Sequence, residues 1–511
     1  MGLREDYIFW SLVNELSSRH EYRMLTVAEN HNEIWLENDE NKAYPVIRVM
    51  RHDLDWANWL KRDIDRTVMN AENIRSQLLR RPMNVLNIYI SAYLPVDDFD
   101  HIIRPVSEKK STVHTMIFDA SRTPESFGSL EQIFNKPLSL HIPDEGHVEE
   151  SHVAYMKQGA LAASVKKTKE EQAIFRNGKP FFTNVFIFLQ IAIFILMELK
   201  GSSQNTLTLI QFGAKYSPLI LQGEWWRFFT PMVVHIGVMH LLMNTLSLYF
   251  IGPEVERMYG RVRFLFIYIF AGFSGTLASF LATPNISAGA SGAIFGLFGA
   301  LLYFGTTHPK LFFRTMGTNI IILIIINLGY GFSVEGVDNS GHIGGLIGGF
   351  LASGVVHLPK KRKPFRQAVF AAATAILTFC LLKWGYTDHP ILASGKDPTI
   401  AQLTQEYIKE GDEDKAFQVA REYIENFEQA PYAYFSLGNM EIKKGNLQQA
   451  KEYYEKAIAQ YPEMHEAHYN LALVYNDLGD KAKAMQHIRE AVNLEPDQEQ
   501  YREMLRRMEE E

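Results

Sequence analysis

Two polar residues stand at the beginning of apolar stretches, where a hydroxyl and an imidazole are suited to act together. Ser291 lies in the motif Gly-Ala-Ser-Gly at 289–292, and His342 follows Gly341 at the start of a later stretch. An imidazole beside a serine hydroxyl acts as a general base, because the ring takes the proton as the oxygen attacks a carbonyl. Polar groups are costly to place within membrane spans, so they indicate function by default. The pair predicts acyl transfer to water.

A second set of polar residues, His235, His240 and Asn244, lies in an earlier apolar stretch. His240 and Asn244 are four residues apart, so their side chains share one face of a helix. Acyl transfer needs donors aimed at the oxygen that becomes negatively charged. With the backbone N–H of Ser291, these two side chains predict an oxyanion hole of three donors. The alternative is a packing role for both side chains.

Glycines follow both Ser291 and His342 at helical spacing, which predicts close packing of the two helices. Gly345 and Gly349 lie one and two turns after His342. The stretch that begins at Ser291 carries three more glycines, Gly292, Gly296 and Gly299. Small residues at such spacing let membrane helices approach, which would bring the imidazole within reach of the hydroxyl. Phe295 shares a face with Ser291 and is placed to stack on the imidazole. The alternative is a glycine stripe that serves packing alone.

Seven stretches are apolar enough to cross a hydrocarbon core, which takes about 20 helical residues each. They are Phe182–Leu199, Val233–Ile251, Phe264–Ala282, Ser291–Phe304, Thr318–Phe332, Gly341–His357 and Ala368–Trp384. Fifteen Lys and Arg residues flank these stretches on one side and three on the other. The positive-inside rule then places the N-terminus in the cytosol and, with an odd number of spans, the C-terminus outside. The second, fourth and sixth spans enter from outside, so the polar residues named above converge near one depth.

Composition divides the 511 residues into three parts around this apolar region. The formal net charge of −7 carries no basic excess, so nothing favours a nucleic-acid partner. Cys380 is the only cysteine, which excludes internal disulfides and zinc sites built from cysteine pairs. We predict a mainly α-helical protein with an α+β domain at 1–165, a seven-helix membrane domain at 181–386 and an α-solenoid at 397–511.

The N-terminal part mixes helix and strand patterns and predicts a soluble cytosolic domain. The expected elements include an amphipathic helix at Trp56–Leu79 and strands at Val85–Leu94 and Val113–Phe118. Just before that helix, His52, Asp53 and Asp55 are ligand types that suit a regulatory divalent metal such as Mn or Zn. The alternative is a polar turn in which Asp55 caps the helix.

The C-terminal part repeats a pattern with a period of about 34 residues. The first copy contains Leu437, Gly438, Gly445, Ala450 and Pro462. Their counterparts are Leu471, Ala472, Gly479, Ala484 and Pro496. The period and the small residues resemble the tetratricopeptide repeat, and a degenerate earlier copy begins near Ile400. Such arrays commonly present a concave groove to a peptide or protein partner. A purely structural stack is the alternative.

The motifs of the apolar region together resemble those of the rhomboid intramembrane serine proteases. They are Trp226-Arg227, His235-x4-His240-x3-Asn244, Gly252-x3-Glu256-x3-Gly260, Gly289-Ala290-Ser291-Gly292, and Gly341-His342 with Gly345 and Gly349. The resemblance implies a six-helix core plus one appended span, with Ser291 as nucleophile and His342 as base. It also implies that His240 and Asn244 assist the oxyanion, that Trp226-Arg227 is structural and that catalysis needs no cofactor.

Two functions fit these predictions. The first is an endopeptidase of the cell membrane that cuts peptide bonds in or near transmembrane segments of other membrane proteins, through a dyad of Ser291 and His342. Asp338, four residues before His342, is the nearest acid that would orient the imidazole as the third member of a triad. The alternative is that Asp338 is a solvated loop residue. The second function is a non-catalytic membrane adaptor that recruits partners through its repeats. The presence of both serine and histidine favours the protease.

Overall fold

The computed structural model describes residues 2–38, 41–78, 82–134, 138–140, 142, 148–334, 336–359, 363–387, 389 and 397–510. The chain forms two compact units, Met1–Ala173 and Ile174–Glu511. The first is built around a β-sheet, whereas the second consists of helices and their connections over its described residues. The prediction of a mainly helical chain with an N-terminal α+β region is confirmed.

Six strands of the first unit form one mixed sheet. They are β1 (Arg23–Val27), β2 (Glu33–Glu37), β3 (Val46–Arg51), β4 (Met83–Ser91), β5 (Val106–Glu108) and β6 (Ser111–Asp119). Their order across the sheet is β1-β2-β3-β4-β6-β5, with parallel pairing of β4 to β3 and to β6 and antiparallel pairing elsewhere. The sheet supplies two apolar faces, because successive strand residues point to opposite sides.

Four helices cover both faces of this sheet. They are α1 (Leu3–Ser18), α2 (Ala57–Leu78), α3 (Thr123–Phe134) and α4 (Glu150–Ile174). Residues of α1, α3 and α4 pack on one face, and residues of α2 pack on the other. The helix predicted at Trp56–Leu79 is α2, which connects β3 to its parallel neighbour β4.

Over its described residues, the second unit has ten α-helices before the repeats. They are α5 (Phe182–Lys200), α6 (Thr206–Gln211), α7 (Ser217–Leu221), α8 (Gly237–Tyr259), α9 (Arg261–Ala282), α10 (Ser291–Thr307), α11 (Pro309–Thr315), α12 (Gly317–Ser333), α13 (Asn339–Val356) and α14 (Pro364–Thr387). Each of the seven predicted spans overlaps one of these helices. By length and composition, α5, α9 and α14 are able to cross a membrane, and α11 with α12, bent by 72°, would count as a fourth. The chain is therefore a multi-pass membrane protein, and the count of seven stays a prediction.

Glycines let α10 and α13 pack backbone to backbone. A Cβ atom built on Gly345 would lie 1.9 Å from the carbonyl oxygen of Gly292. One turn further, a Cβ atom on Gly349 would lie 2.0 Å from the carbonyl oxygen of Gly296. Neither position accepts a side chain without moving a helix, because real Cβ atoms essentially never come within 3.0 Å of such neighbours. The close approach that was predicted from the glycine spacing is present.

A buried carboxylate on α8 fixes the start of α5. Glu256 is fully buried, and its oxygens accept hydrogen bonds from the backbone N–H groups of Phe181, Phe182 and Thr183 at 2.9–3.0 Å. The Thr183 hydroxyl donates a fourth bond at 2.8 Å. The first N–H groups of a helix have no partner within the helix, so this carboxylate satisfies them and favours the positive end of the helix dipole.

The C-terminal part of the second unit consists of stacked helical hairpins. Its helices are α15 (Thr399–Lys409), α16 (Glu413–Asn426), α17 (Pro431–Lys443), α18 (Leu447–Gln460), α19 (His465–Asp477), α20 (Lys481–Leu494) and α21 (Glu499–Glu510). Ala450 and Ala484, which occupy matching places in the two copies of the repeat, are fully buried. Small residues at these places let paired helices touch, as the period predicted.

Candidate active site

Ser291 begins α10 at the end of a tight turn. Gly289, two residues earlier, has φ of +126°, a conformation that favours glycine over other residues. A Cβ atom at this position would also lie 2.7 Å from the His240 ring. The backbone N–H of Gly289 donates to the carbonyl oxygen of Pro231 at 2.9 Å, which holds the turn in place. The Gly-Ala-Ser-Gly motif therefore positions the Ser291 hydroxyl at the start of α10, and the backbone of the motif lies close to α8.

His342 lies in the first turn of α13, opposite Ser291. Its Nε2 atom is 2.9 Å from the Ser291 hydroxyl oxygen. The ring stacks on Phe295 with 4.4 Å between centroids and 12° between planes. Both Ser291 and His342 are half-buried, so the pair is within reach of solvent. A hydroxyl at this distance from an imidazole nitrogen can transfer its proton as it attacks a carbonyl.

Asp338 positions α13 without contacting the imidazole through its side chain. One carboxylate oxygen accepts from the Gly341 N–H at 2.9 Å and caps the helix, and the other accepts from the Ser287 hydroxyl at 2.7 Å. Among the described residues, Nδ1 of His342 has no hydrogen-bond partner. The geometry is that of a pair rather than a triad, and Asp338 instead ties α13 to the segment that leads into Ser291.

His240 and Asn244 lie beside the turn that leads into Ser291. An added Cβ atom on Gly289 would be 2.7 Å from the His240 ring and 3.8 Å from the Asn244 amide nitrogen, so both side chains border this turn. The amide of Asn244 donates to the carbonyl oxygen of His240 at 3.0 Å, and Nδ1 of His240 accepts from the Ile236 N–H at 3.4 Å. The two predicted oxyanion donors are thus brought beside the turn that ends at Ser291.

His235 has a role that the sequence did not assign. It is fully buried, and its Nε2 accepts a hydrogen bond from the backbone N–H of Ala290 at 3.3 Å. Its ring also meets that of His240 edge to face, with 5.4 Å between centroids. His235 therefore supports the backbone directly before Ser291. Its place in the same polar set as His240 and Asn244 was the available signal.

Arg227 holds together the long connection between α5 and α8. It is buried, and its guanidinium donates to the carbonyl oxygens of Ile210 and Ala214 at 2.8 and 2.9 Å. It also pairs with Glu224 at 2.6 Å. These bonds satisfy carbonyl groups at and beyond the end of α6, so this arginine contacts the scaffold and not the Ser291 hydroxyl.

The three residues considered for a metal lie in the first unit and face different partners. The His52 ring stacks on Trp59 with 3.8 Å between centroids. One oxygen of Asp53 accepts from the Ala92 N–H at 3.4 Å, and Asp55 accepts from the Tyr93 hydroxyl at 2.6 Å. Among the described residues, the Ala57 N–H at the start of α2 donates to Asp97 at 2.7 Å and not to Asp55. Within the described part of the chain, no three His, Cys, Asp or Glu side chains are grouped as metal ligands.

Comparison with known proteins adds sequence similarity to this geometry. A family model described as the Rhomboid domain matches residues 222–359, and a tetratricopeptide repeat model matches residues 435–499. The chain is 39% identical over 474 residues to the rhomboid protease GluP of Bacillus subtilis, covering 92% of each chain. It is 33% identical to the putative rhomboid protease YdcA of the same species, covering 34% of this chain and 88% of that one. It is 28% identical to the rhomboid protease AarA of Providencia stuartii, covering 45% and 91%.

Proposed function

The chain belongs to the rhomboid protease family, and from this premise we propose that Ser291 and His342 are the catalytic dyad of an intramembrane serine protease. The observation that carries the proposal is the 2.9 Å separation between the Ser291 hydroxyl oxygen and Nε2 of His342. Rhomboid proteases need no cofactor, and each step assigned below uses only this chain's own groups and water.

In the first step, the Ser291 oxygen attacks the scissile carbonyl carbon while the imidazole of His342 takes the hydroxyl proton. The tetrahedral oxyanion receives hydrogen bonds from the Ser291 backbone N–H and from the His240 and Asn244 side chains. Collapse of this intermediate breaks the C–N bond, and the imidazolium gives its proton to the leaving amine. Water then attacks the acyl-enzyme with His342 again as base, which releases the carboxylic acid and restores the serine.

The substrates we propose are membrane proteins, cut in or near a transmembrane segment. The dyad lies at the starts of α10 and α13, helices whose sequences are apolar over most of their length. A substrate must therefore reach a hydroxyl set among membrane helices, and a transmembrane segment that unwinds locally is already at that depth.

The direct test compares Ser291→Ala and His342→Ala with wild-type protein in proteoliposomes that contain a transmembrane substrate. Each variant is expected to lose cleavage by at least about 10³-fold, because neither member of a dyad can act without the other. Ser333→Ala is the matched control, since its exposed hydroxyl donates to the Gly329 carbonyl of its own helix. Undiminished cleavage by Ser291→Ala or His342→Ala would refute the dyad.

The adaptor is the second candidate, and the repeats recruit a partner protein in either case. A serine-directed fluorophosphonate separates the two functions without knowledge of the substrate. A protease is labelled at Ser291, because the activated oxygen displaces fluoride from phosphorus, whereas an adaptor is not. Peptide mapping of the labelled chain identifies the modified residue.

We also propose that the N-terminus is cytosolic and that the C-terminus lies outside the cell membrane. The last apolar helix, α14, ends beside the connection that carries α6 and α7, because the Tyr386 hydroxyl lies 3.5 Å from the Ile220 carbonyl oxygen. This contact supports a position of the repeats at the same end as Ser291. In a Cys380→Ser background, a membrane-impermeant maleimide should label Glu410→Cys in intact cells and Lys166→Cys only after permeabilisation; the reverse pattern would refute this topology.

A regulatory Mn or Zn ion at His52, Asp53 and Asp55 is a separate prediction for the first unit. Each side chain would have to leave its present partner, since the ring stacks on Trp59 and the carboxylates accept from other groups. Calorimetric titration of either ion into the full chain tests this idea. Equal heats for wild type and His52→Ala would end it.

A further inference from the structure

The first helix of the repeats is joined to the protease part by a carboxylate that caps α6. Both oxygens of Glu406, on α15, accept hydrogen bonds from the first two N–H groups of α6, those of Thr206 at 2.9 Å and Leu207 at 2.6 Å. These groups have no acceptor within a helix that starts there. A negative charge is also favoured at this end of a helix. A carboxylate therefore suits this place better than a neutral acceptor.

An apolar contact surrounds the cap. Leu403 of α15 is 6% exposed and belongs to one buried cluster with Leu207 and Ile210 of α6. Tyr216, just beyond α6, is buried in the same cluster, and Tyr407 of α15 packs against it. Glu406 itself is half-buried, so these apolar neighbours shield its hydrogen bonds in part from water and make them stronger than they would be on an open surface.

Lys215 connects this interface to the segment that leads into Ser291. It is fully buried, and its ammonium donates to the carbonyl oxygens of Thr283 and Asn285 at 2.6 and 3.0 Å. Its backbone pairs with that of Ser287, with N–O distances of 2.8 and 3.2 Å. Lys215, four residues beyond the end of α6, is therefore bonded at three places to residues 283–287, only a few residues before the nucleophile.

Two nearby carboxylates favour the protonated form of Lys215. Burial lowers the pKa of Lys215 to about 8, while the carboxylates of Asp338 and Asp397 act to keep it protonated. Asp397 is buried at the start of the repeats, where it accepts from the Thr399 N–H at 3.0 Å and from the Tyr423 hydroxyl at 3.1 Å. The repeat domain thus contributes both a cap and a charge to the connection around Lys215.

We propose that full protease activity requires α15, because this helix positions the nucleophile. It holds α6 directly and, through Lys215, the segment at 283–290. Glu406 and Lys215 are then positioning residues that act through other groups. The proposal rests on the proposed function of Ser291. It follows that a partner which pulls α15 away from α6 lowers the rate of cleavage, so occupancy of the repeats is able to regulate the active site.

The test uses the full chain in proteoliposomes and compares Glu406→Gln with wild type. An amide keeps the size of the side chain but replaces one acceptor oxygen with a donor and removes the charge. We expect kcat and the rate of fluorophosphonate labelling to fall about 3- to 30-fold with KM little changed, because the substrate still binds while the hydroxyl is misplaced. Glu406→Asp, which keeps the carboxylate, should recover part of the loss. Glu410→Gln, an exposed acid directly after the same helix, should match wild type.

Hydrogen exchange supplies a readout that does not depend on activity. Amides in 206–211 and in 283–290 should both exchange faster in Glu406→Gln than in Glu410→Gln. Faster exchange confined to 206–211, or an unchanged kcat, would overturn the coupling. If wild type neither cleaves nor labels, the proposed function of Ser291 fails, and the exchange at 283–290 still decides whether α15 holds this segment.

Discussion

Replacing Gly345 by alanine is expected to separate the two members of the dyad. The added methyl group would lie 1.9 Å from the Gly292 carbonyl oxygen, where an ordinary contact begins at 3.4 Å. The neighbour is backbone of α10 and not the end of a flexible side chain. Relief therefore requires the helices to move apart by about 1.5 Å at this level, since a packed interior has little space to absorb the atom.

The same movement acts on the hydrogen bond of the proposed dyad. Ser291 and His342 lie one residue before Gly292 and three before Gly345, and their polar atoms are 2.9 Å apart. Opening of about 1 Å takes this distance past the usual hydrogen-bond limit of about 3.2 Å. Misplacement of this size costs about 10²-fold in rate. We expect kcat for a transmembrane substrate to fall about 100-fold, and the overpacking to destabilise the helix pair by about 1–3 kcal/mol.

The assay measures kcat in proteoliposomes together with the melting temperature of the same preparation. Gly329→Ala is the matched control, because it is also a helical glycine and its added methyl meets nothing within 4 Å. That control should keep wild-type activity. Should Gly345→Ala retain a kcat within about threefold of the control, the backbone contact does not set the separation of the dyad, and the reasoning fails.

Four further changes give distinct outcomes. Asp338→Asn should lower kcat less than about 10-fold, because its oxygen still caps α13; a loss near 10⁴-fold would indicate a triad. Phe295→Leu should lower kcat about 3- to 10-fold by removing the stacked ring, and an unchanged KM is the control for substrate binding. Glu256→Gln should lower the melting temperature, since an amide cannot accept all four bonds and about 2 kcal/mol is lost. Despite burial, the Arg48 guanidinium at 2.7 Å lowers the pKa of Asp63 from its ordinary value of 3.8, so the stabilisation that this pair gives the first unit, followed by fluorescence, should be lost as pH falls below that value.

The features that could be predicted from the sequence are those that a short-range pattern determines. Glycine spacing predicted the contact of α10 with α13, and the polar starts of both helices predicted that Ser291 and His342 would face each other. The place of Phe295 on the face of Ser291 predicted its stacking on the imidazole, which the structure has at 4.4 Å between ring centroids. Such features follow from helical geometry alone, because residues three or four apart share a face.

Features that depend on long-range packing were not predicted. The connection between α5 and α8 contains α6, α7 and two short 3₁₀ helices, Trp225–Phe228 and Thr230–Val233. Each is too short to show a helical period in the sequence. Glu406 and Thr206 are about two hundred residues apart, so no pattern along the chain relates them. The strand order of the first unit likewise depends on where the chain re-enters the sheet after each helix or loop. Only the folded sheet shows that β6 lies between β4 and β5.

Asp338 shows why position along the chain was a poor guide to its role. An acid four residues before His342 lies one helical turn away only if both residues belong to the same helix. Here α13 begins at Asn339, so Asp338 is the capping residue. Its oxygens face the Gly341 N–H and the Ser287 hydroxyl. Among the described residues Nδ1 of His342 has no hydrogen-bond partner, so Asp338 does not bond to it. In the proposed dyad the imidazole is therefore oriented by the ring of Phe295 and by the Ser291 hydroxyl, and not by a hydrogen-bonded carboxylate.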